Sequence, residues 1–251
     1  MPDKNALLNF LNLAADYLKT GHLAEGPLVE EQGLPLAYLI EEDENPEKGE
    51  DSLQAIAEEV ADCRACPLCE TRTLAVPGEG PERPLVMVIG EGPGADEDKA
   101  GRPFVGKAGQ LLDRMLQSIT LSREKNCFIA NMVKCRPPGN RDPAQGEIEA
   151  CFPFLRRQIL LLKPMLILCA GRVSARSLLN TEQGINALRG QFIDLKIADS
   201  ETGEEITIPV LPSYHPSALL RDESLKRPAW EDLKMLKSRL ISLESLSLIE
   251  E

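Results

Sequence analysis

Aromatic side chains are scarce in this chain, at 4% of 251 residues with one Trp, three Tyr and six Phe. An aromatic outside an apolar run is therefore a candidate for more than core filling. Histidine is scarcer still, with only His22 and His215, so chemistry resting on a cluster of imidazoles is excluded. No apolar run approaches the ~20 residues needed to span a bilayer, and the N-terminus has no basic stretch followed by an apolar one. The expectation is a cytoplasmic protein without a membrane partner. An even cysteine count is also lacking. Seven cysteines, with Cys-x-x-Cys spacing among them, argue for metal ligation in a reducing compartment over a disulfide framework.

An excess of basic charge is missing too, since the formal net charge is −12. Its distribution is uneven. Residues 1–62 carry 15 Asp and Glu against 3 Lys, whereas residues 63–251 carry 25 charges of each sign. The acidity belongs to an N-terminal appendage, and the neutral remainder is free to gather positive charge on one face. Within the appendage, Leu7, Leu8, Leu11, Ala14, Ala15 and Leu18 predict a short amphipathic helix over 5–18. Residues 20–51, rich in Gly, Pro and acid, read as a flexible linker. The organisation expected is an extension over 1–51, a core domain over 52–245 and an acidic tail over 246–251. The helix at 5–18 reads either as part of a solvated tail or as a docking element for an unnamed protein partner.

Four nearly continuous apolar runs, 85–90, 127–133, 165–171 and 206–214, read as parallel strands buried on both faces. Helical patterns alternate with them. Residues 52–63 predict a helix leading into the first cysteines, and 108–119 places Ala108, Leu111, Leu112, Met115, Leu116 and Ile119 on one stripe. The alternation predicts an α/β fold, a three-layer α/β/α sandwich around a central four-stranded parallel sheet, with ligands beyond the carboxyl ends of the strands.

Cys63 and Cys66 precede this core, and Cys135 and Cys151 lie inside it with fifteen residues between them. Four-cysteine sites serve both zinc and iron–sulfur clusters, so spacing alone leaves the metal open. Cys69 is a third thiol in 63-CRACPLC-69 and a rival for the place of Cys66, whereas Cys127 and Cys169 fall inside predicted strands as small buried apolar residues.

Three blocks, 90-GEGPGADEDKAGRPFVGKAGQLLDRML-116, 130-ANMVKCRPPGNRDP-143 and 213-SYHPSALLR-221, lie at or near strand ends. In order and spacing they closely resemble the signature blocks of the family 4 uracil-DNA glycosylases, over roughly residues 55–240. The resemblance implies a monofunctional hydrolase that removes uracil from single- or double-stranded DNA, acts as a monomer and carries a [4Fe–4S] cluster on Cys63, Cys66, Cys135 and Cys151, with structural zinc as the alternative. It also implies that Phe104 stacks on the base and Asn131 reads its edge, while His215 donates to uracil O2. Glu91 is the first candidate for positioning water, in the absence of the Asp that related families place where Gly92 stands. Glu97 is the second, and also the candidate to gate against thymine, because Gly94 occupies the place of a Tyr. Amides at Gly92 and Gly94 are expected near uracil O2, and Asp96 and Asp98 are expected to be solvated.

Leu219, Leu220 and Arg221 suit a loop that fills the gap left by a flipped base, although two leucines equally begin a core-facing helix. Lys134, Arg136, Arg141, Arg156 and Arg157 are candidate phosphate contacts. Two rival readings stand beside the main one: a related glycosylase with a different damaged base, and a noncatalytic iron–sulfur module that binds DNA.

Overall fold

A computed structural model describes residues 51–198, 203 and 205–247. The expected helix at 5–18 and nearly all of the linker lie outside them. The described chain begins with α1 (Leu53–Asp62), capped by Ser52, whose side chain accepts the Ala55 amide at 3.0 Å and which buries Ile56 and Val60. The core then runs β1 (Val86–Gly90), α2 (Ala95–Ala100), α3 (Lys107–Gln117), β2 (Cys127–Asn131), α4 (Gln145–Leu162), β3 (Leu166–Ala170), α5 (Arg172–Leu178), α6 (Ile185–Leu188), β4 (Ile193–Ala198), β5 (Glu205–Ser213), α7 (Pro216–Arg221) and α8 (Lys226–Ser247).

The sheet has the order β2-β1-β3-β5-β4. The four expected strands are β1, β2, β3 and β5, and they pair in parallel. The fifth, β4, pairs antiparallel with β5 and corrects the four-stranded expectation. Its partly exposed 193-IDLKIA-198 alternates apolar and polar residues, because an antiparallel edge strand is covered on one face only. A search for continuous apolar runs passes over it.

Alternation along each inner strand feeds two cores. Met87 and Ile89 face one layer with Leu155 and Ile159 of α4, whereas Val86 and Val88 face the other with Leu112 and Leu116 of α3 and Leu233 and Leu236 of α8. This is the expected three-layer sandwich. Between β1 and β2 the register sets Gly90 beside Asn131, and between β3 and β5 it sets Ala170 beside Ser213. All four parallel strands therefore stop along one edge. The chain leaves β1 to one side for β2 and returns across it to β3, so the reversal in strand order falls at the end of β1, where a crevice opens.

Leu155 is fully buried between α4 and the sheet. Leu155→Ala is expected to lower the unfolding free energy by about 2–5 kcal/mol in urea titration, with the slope unchanged.

Candidate active site

Gly90, the last residue of β1, makes the pocket possible. A Cβ there would stand 2.3 Å from Asn131 Oδ1 and 2.5 Å from Phe104 Cζ. Only a residue without a side chain lets both groups converge above the sheet edge. Sequence inspection passed over Gly90 because, as a strand terminus, it looks like punctuation. Asn131 ends β2 and is 1% exposed. Its Oδ1 is the one buried side-chain polar atom among the described residues without a hydrogen-bond partner. Such an orphan acceptor needs an explanation, and a ligand N–H aimed at it is the simplest.

Phe104 is buried and has φ +53°, a left-handed conformation costly for a bulky side chain. Its ring lies 5.6 Å from that of His215, tilted by 33°. His215 follows β5 and caps α7. Its Nδ1 accepts the Ser217 amide at 3.1 Å and lies 2.7 Å from Ser217 Oγ. An Nδ1 that accepts leaves the ring proton on Nε2. Although His215 is partly accessible, burial dominates its titration. Desolvation, with Arg221 adding to it and Glu97 opposing, pushes its pKa down to about 4. At neutral pH His215 is an uncharged N–H donor.

The turn that carries His215 is tied down from below. Ser213 Oγ donates to Asp232 Oδ2 at 2.6 Å, and Arg189 binds both Asp232 oxygens at 2.6 and 3.1 Å while its guanidinium lies 5.2 Å from the Tyr214 ring centre. Gly171, at φ +107°, leaves the room that the His215 Cβ needs. None of these residues carries a local sequence signal, because α8 and β5 meet only in the folded chain.

Glu91 follows Gly90 and is partly buried. Desolvation, with the charge of Asp142 adding to it and Arg172 opposing, pushes its pKa up to about 7. A carboxylate poised near neutrality suits proton abstraction. Glu97 serves differently. Its Oε1 accepts the amides of Val105 and Gly106 at 2.8 and 2.9 Å, and its Oε2 accepts that of Gly94 at 3.1 Å. It is a loop staple, and the Gly94 amide it engages is not available to a base. A Cβ at Gly92 would meet Val133 Cγ2 at 2.8 Å, so that glycine answers to packing. Asp96 is exposed as expected, but Asp98 is buried and accepts from the amide and hydroxyl of Thr73, which corrects the solvated reading.

The expected phosphate contacts divide. Lys134 is 1% exposed, with Nζ donating to Asn131 O at 3.1 Å and Gln158 Oε1 at 2.7 Å. It supports the end of β2 from beneath and cannot reach a phosphate. Arg141 is paired with Glu147, Arg157 with Asp51 and Glu59, and Arg156 with the Ala198 carbonyl. Arg136 is partly exposed and bonds Asn140. Leu219 is 2% exposed and belongs to the core, whereas Leu220 is 48% exposed beside the exposed Arg221. Of the two leucines, only Leu220 lies at the surface.

Cys63, Cys66, Cys69, Cys135 and Cys151 line one small hollow with Arg72 and Lys134. Arg72 Nη1 and the Lys134 amide each donate to a sulfur at 3.2 Å, to Cys135 and Cys151 respectively. Among the described residues, no three His, Cys, Asp or Glu side chains are gathered as a single metal ion would require. Cys127 and Cys169 lie apart in the strands, fully buried, as expected.

The chain as a whole is similar to known proteins. The family model of the uracil DNA glycosylase superfamily matches residues 77–234. Type-4 uracil-DNA glycosylases from Sulfurisphaera tokodaii and Saccharolobus solfataricus are 42% and 44% identical over 76% of this chain, covering 86% and 88% of their own lengths. The chain belongs to the type-4 uracil-DNA glycosylases. A type-5 uracil-DNA glycosylase from Pyrobaculum aerophilum is 30% identical over 57% of this chain and 66% of its own. As a uracil-DNA glycosylase, the chain is a hydrolase of DNA repair. No helix among the described residues is long and apolar enough to cross a membrane.

Gly90→Ala would push Asn131 and Phe104 apart in this glycosylase. A displacement of about 1 Å costs on the order of 10²-fold, so kcat/KM on a uracil oligonucleotide is expected to fall by that much with an unchanged circular dichroism spectrum.

Proposed function

We propose that this glycosylase takes up a flipped uracil nucleotide with Asn131, Phe104 and His215 and hydrolyses its glycosidic bond with water positioned by Glu91. The single observation that carries the reading is the orphan Asn131 Oδ1. Uracil N3–H supplies the missing donor, and cytosine, with an unprotonated N3 and an exocyclic amine, does not. Phe104 stacks on the base, and the neutral His215 donates through Nε2–H to O2. As the C1′–N1 bond breaks, its electron pair passes to the uracil ring, and the hydrogen bond to O2 strengthens as charge develops there. Glu91 accepts a proton from water as the water oxygen bonds to C1′, leaving an abasic sugar and a uracil anion. Leu220 enters the gap in the stack, and Arg136 and Arg221 lie along the phosphates. The enzyme acts as a cytoplasmic monomer on single- or double-stranded DNA.

The cysteine hollow suits a [4Fe–4S] cluster held by Cys63, Cys66, Cys135 and Cys151. Five thiols line the hollow, and among the described residues no three of them converge as a single zinc ion would require, which favours the cluster over zinc. Bound there, the cluster supplies a cross-link between the segment before the core and α4. The hydrolytic steps belong to the side chains of the pocket.

Between about pH 5 and pH 8, kcat/KM is expected to rise tenfold per unit up to the Glu91 pKa of about 7 and then level. Glu91→Gln should flatten that limb and lower the plateau by about 10²–10³-fold. His215→Ala should lose about as much while keeping the limb, since His215 titrates near 4. A limb that survives Glu91→Gln would overturn the assignment of the base. The stability effect has the opposite sign to the activity effect. The folded state holds the Glu91 proton more tightly than the unfolded chain, so it loses stability as pH rises from 4.5 to about 7. Glu91→Gln is therefore expected to raise Tm at pH 8.

For the cysteine site, anaerobically purified protein is expected to contain iron and sulfide, lost in Cys135→Ala and retained in Cys127→Ala. Stoichiometric zinc in their place would establish the alternative.

A further inference from the structure

Arg123 lies in the loop between α3 and β2, where nothing in its neighbours 121-LSREKN-126 marks it for chemistry. It is nevertheless 8% exposed, and its guanidinium is fully engaged. Nη1 donates to the Pro103 carbonyl and Nη2 to the Phe104 carbonyl, both at 2.8 Å. The same group is held by Glu79 Oε1 at 2.7 Å and by Asp113 Oδ1 at 2.8 and 3.0 Å. On the far side of Phe104, Glu97 Oε1 accepts the amides of Val105 and Gly106. Four consecutive backbone groups, two carbonyls and two amides, are thus gripped by one buried cation and one carboxylate.

The residue between these two jaws is the one whose backbone resists its conformation. Phe104 stands at φ +53°, and a bulky side chain persists in that region only where the surroundings over-determine it. Its carbonyl also lies where a Cβ on Gly109 would come within 1.8 Å, so α3 closes off the space beneath the loop. Relaxation of φ to the ordinary region would swing the ring away from Asn131 and His215. A loop that needed only closing would not require a planar fork set on two successive carbonyls.

We propose that Arg123 is a positioning residue of the glycosylase reaction: acting against Glu97, it holds Phe104 in its strained conformation so that the ring is already in place when the base arrives. The inference rests on the reading of Phe104 as the stacking group. Arg123 itself does not touch the base, and its influence passes through Phe104 alone.

A double-mutant cycle on kcat/KM for a uracil oligonucleotide, measured well below the Tm of each protein, tests the inference. Arg123→Gln is expected to lose about 10- to 100-fold. Phe104→Ala should lose at least as much, and the double variant should be no worse than Phe104→Ala alone, because a ring that is absent cannot be misplaced. Losses that multiply would overturn the clamp and leave the stacking reading standing, as would a folded Arg123→Gln with full activity. If Phe104→Ala itself loses nothing, the stacking reading fails and takes the clamp with it. Should Arg123→Gln not fold, Arg123→Lys, which keeps the charge but cannot grip both carbonyls, takes its place in the same cycle.

Discussion

The side chain missing at Gly90 is the constraint from which the pocket is built. Parallel pairing sets Gly90 beside Asn131 at the carboxyl edge of the sheet, and the absent Cβ leaves the volume in which the amide of one strand and the ring of a distant loop approach each other. The sheet supplies rigidity and register. It could not, however, bring these two groups together if β1 ended in any larger residue.

Around that space, each functional group is held in a state it would not adopt alone. Asn131 keeps a buried acceptor unpaired, Phe104 a left-handed backbone, Glu91 a desolvated carboxyl and His215 an imidazole stripped of its tendency to protonate. All four are unfavourable in isolation and require support from the surrounding fold. The support is polar and buried or half-buried: Lys134 beneath Asn131, Arg123 and Glu97 about Phe104, and Asp232 with Arg189 beneath the His215 turn. In the proposed mechanism this arrangement prepares the site in advance, so that little reorganisation is left for the reaction itself.

The cysteine hollow answers a different need. The segment carrying Cys63, Cys66 and Cys69 contributes little to either core, with Leu68 buried in one of them and Ile56 and Val60 buried outside both, and ion pairs from Arg157 to Asp51 and Glu59 at its start are partly exposed and weak. A group bound by thiols from this segment, from the loop after β2 and from α4 would fasten it where apolar burial is thin. Lys134 touches both centres, with its amide on Cys151 and its Nζ on the Asn131 carbonyl, so the hollow and the pocket share one structural wall.

Local and periodic information sufficed for much of this protein. Buried parallel strands are apolar on both faces, so β1, β2, β3 and β5 were legible as continuous runs, and α3 as a stripe. The three blocks at their ends carried the resemblance that pointed to Phe104, Asn131, His215 and the four cysteines. The alternating strand β4 escaped because one-sided burial leaves no such run. What only the tertiary structure decided is how each charged or apolar side chain is used, since that depends on which distant groups surround it. Lys134, a basic residue in a motif, turned inward to a carbonyl and an amide; Leu219 and Leu220, adjacent in sequence, separated into core and surface because a helix turns by about 100° per residue. Arg123, Asp232 and Gly90 carry no local pattern at all, because their partners lie 10 to 44 residues away or across a strand pair.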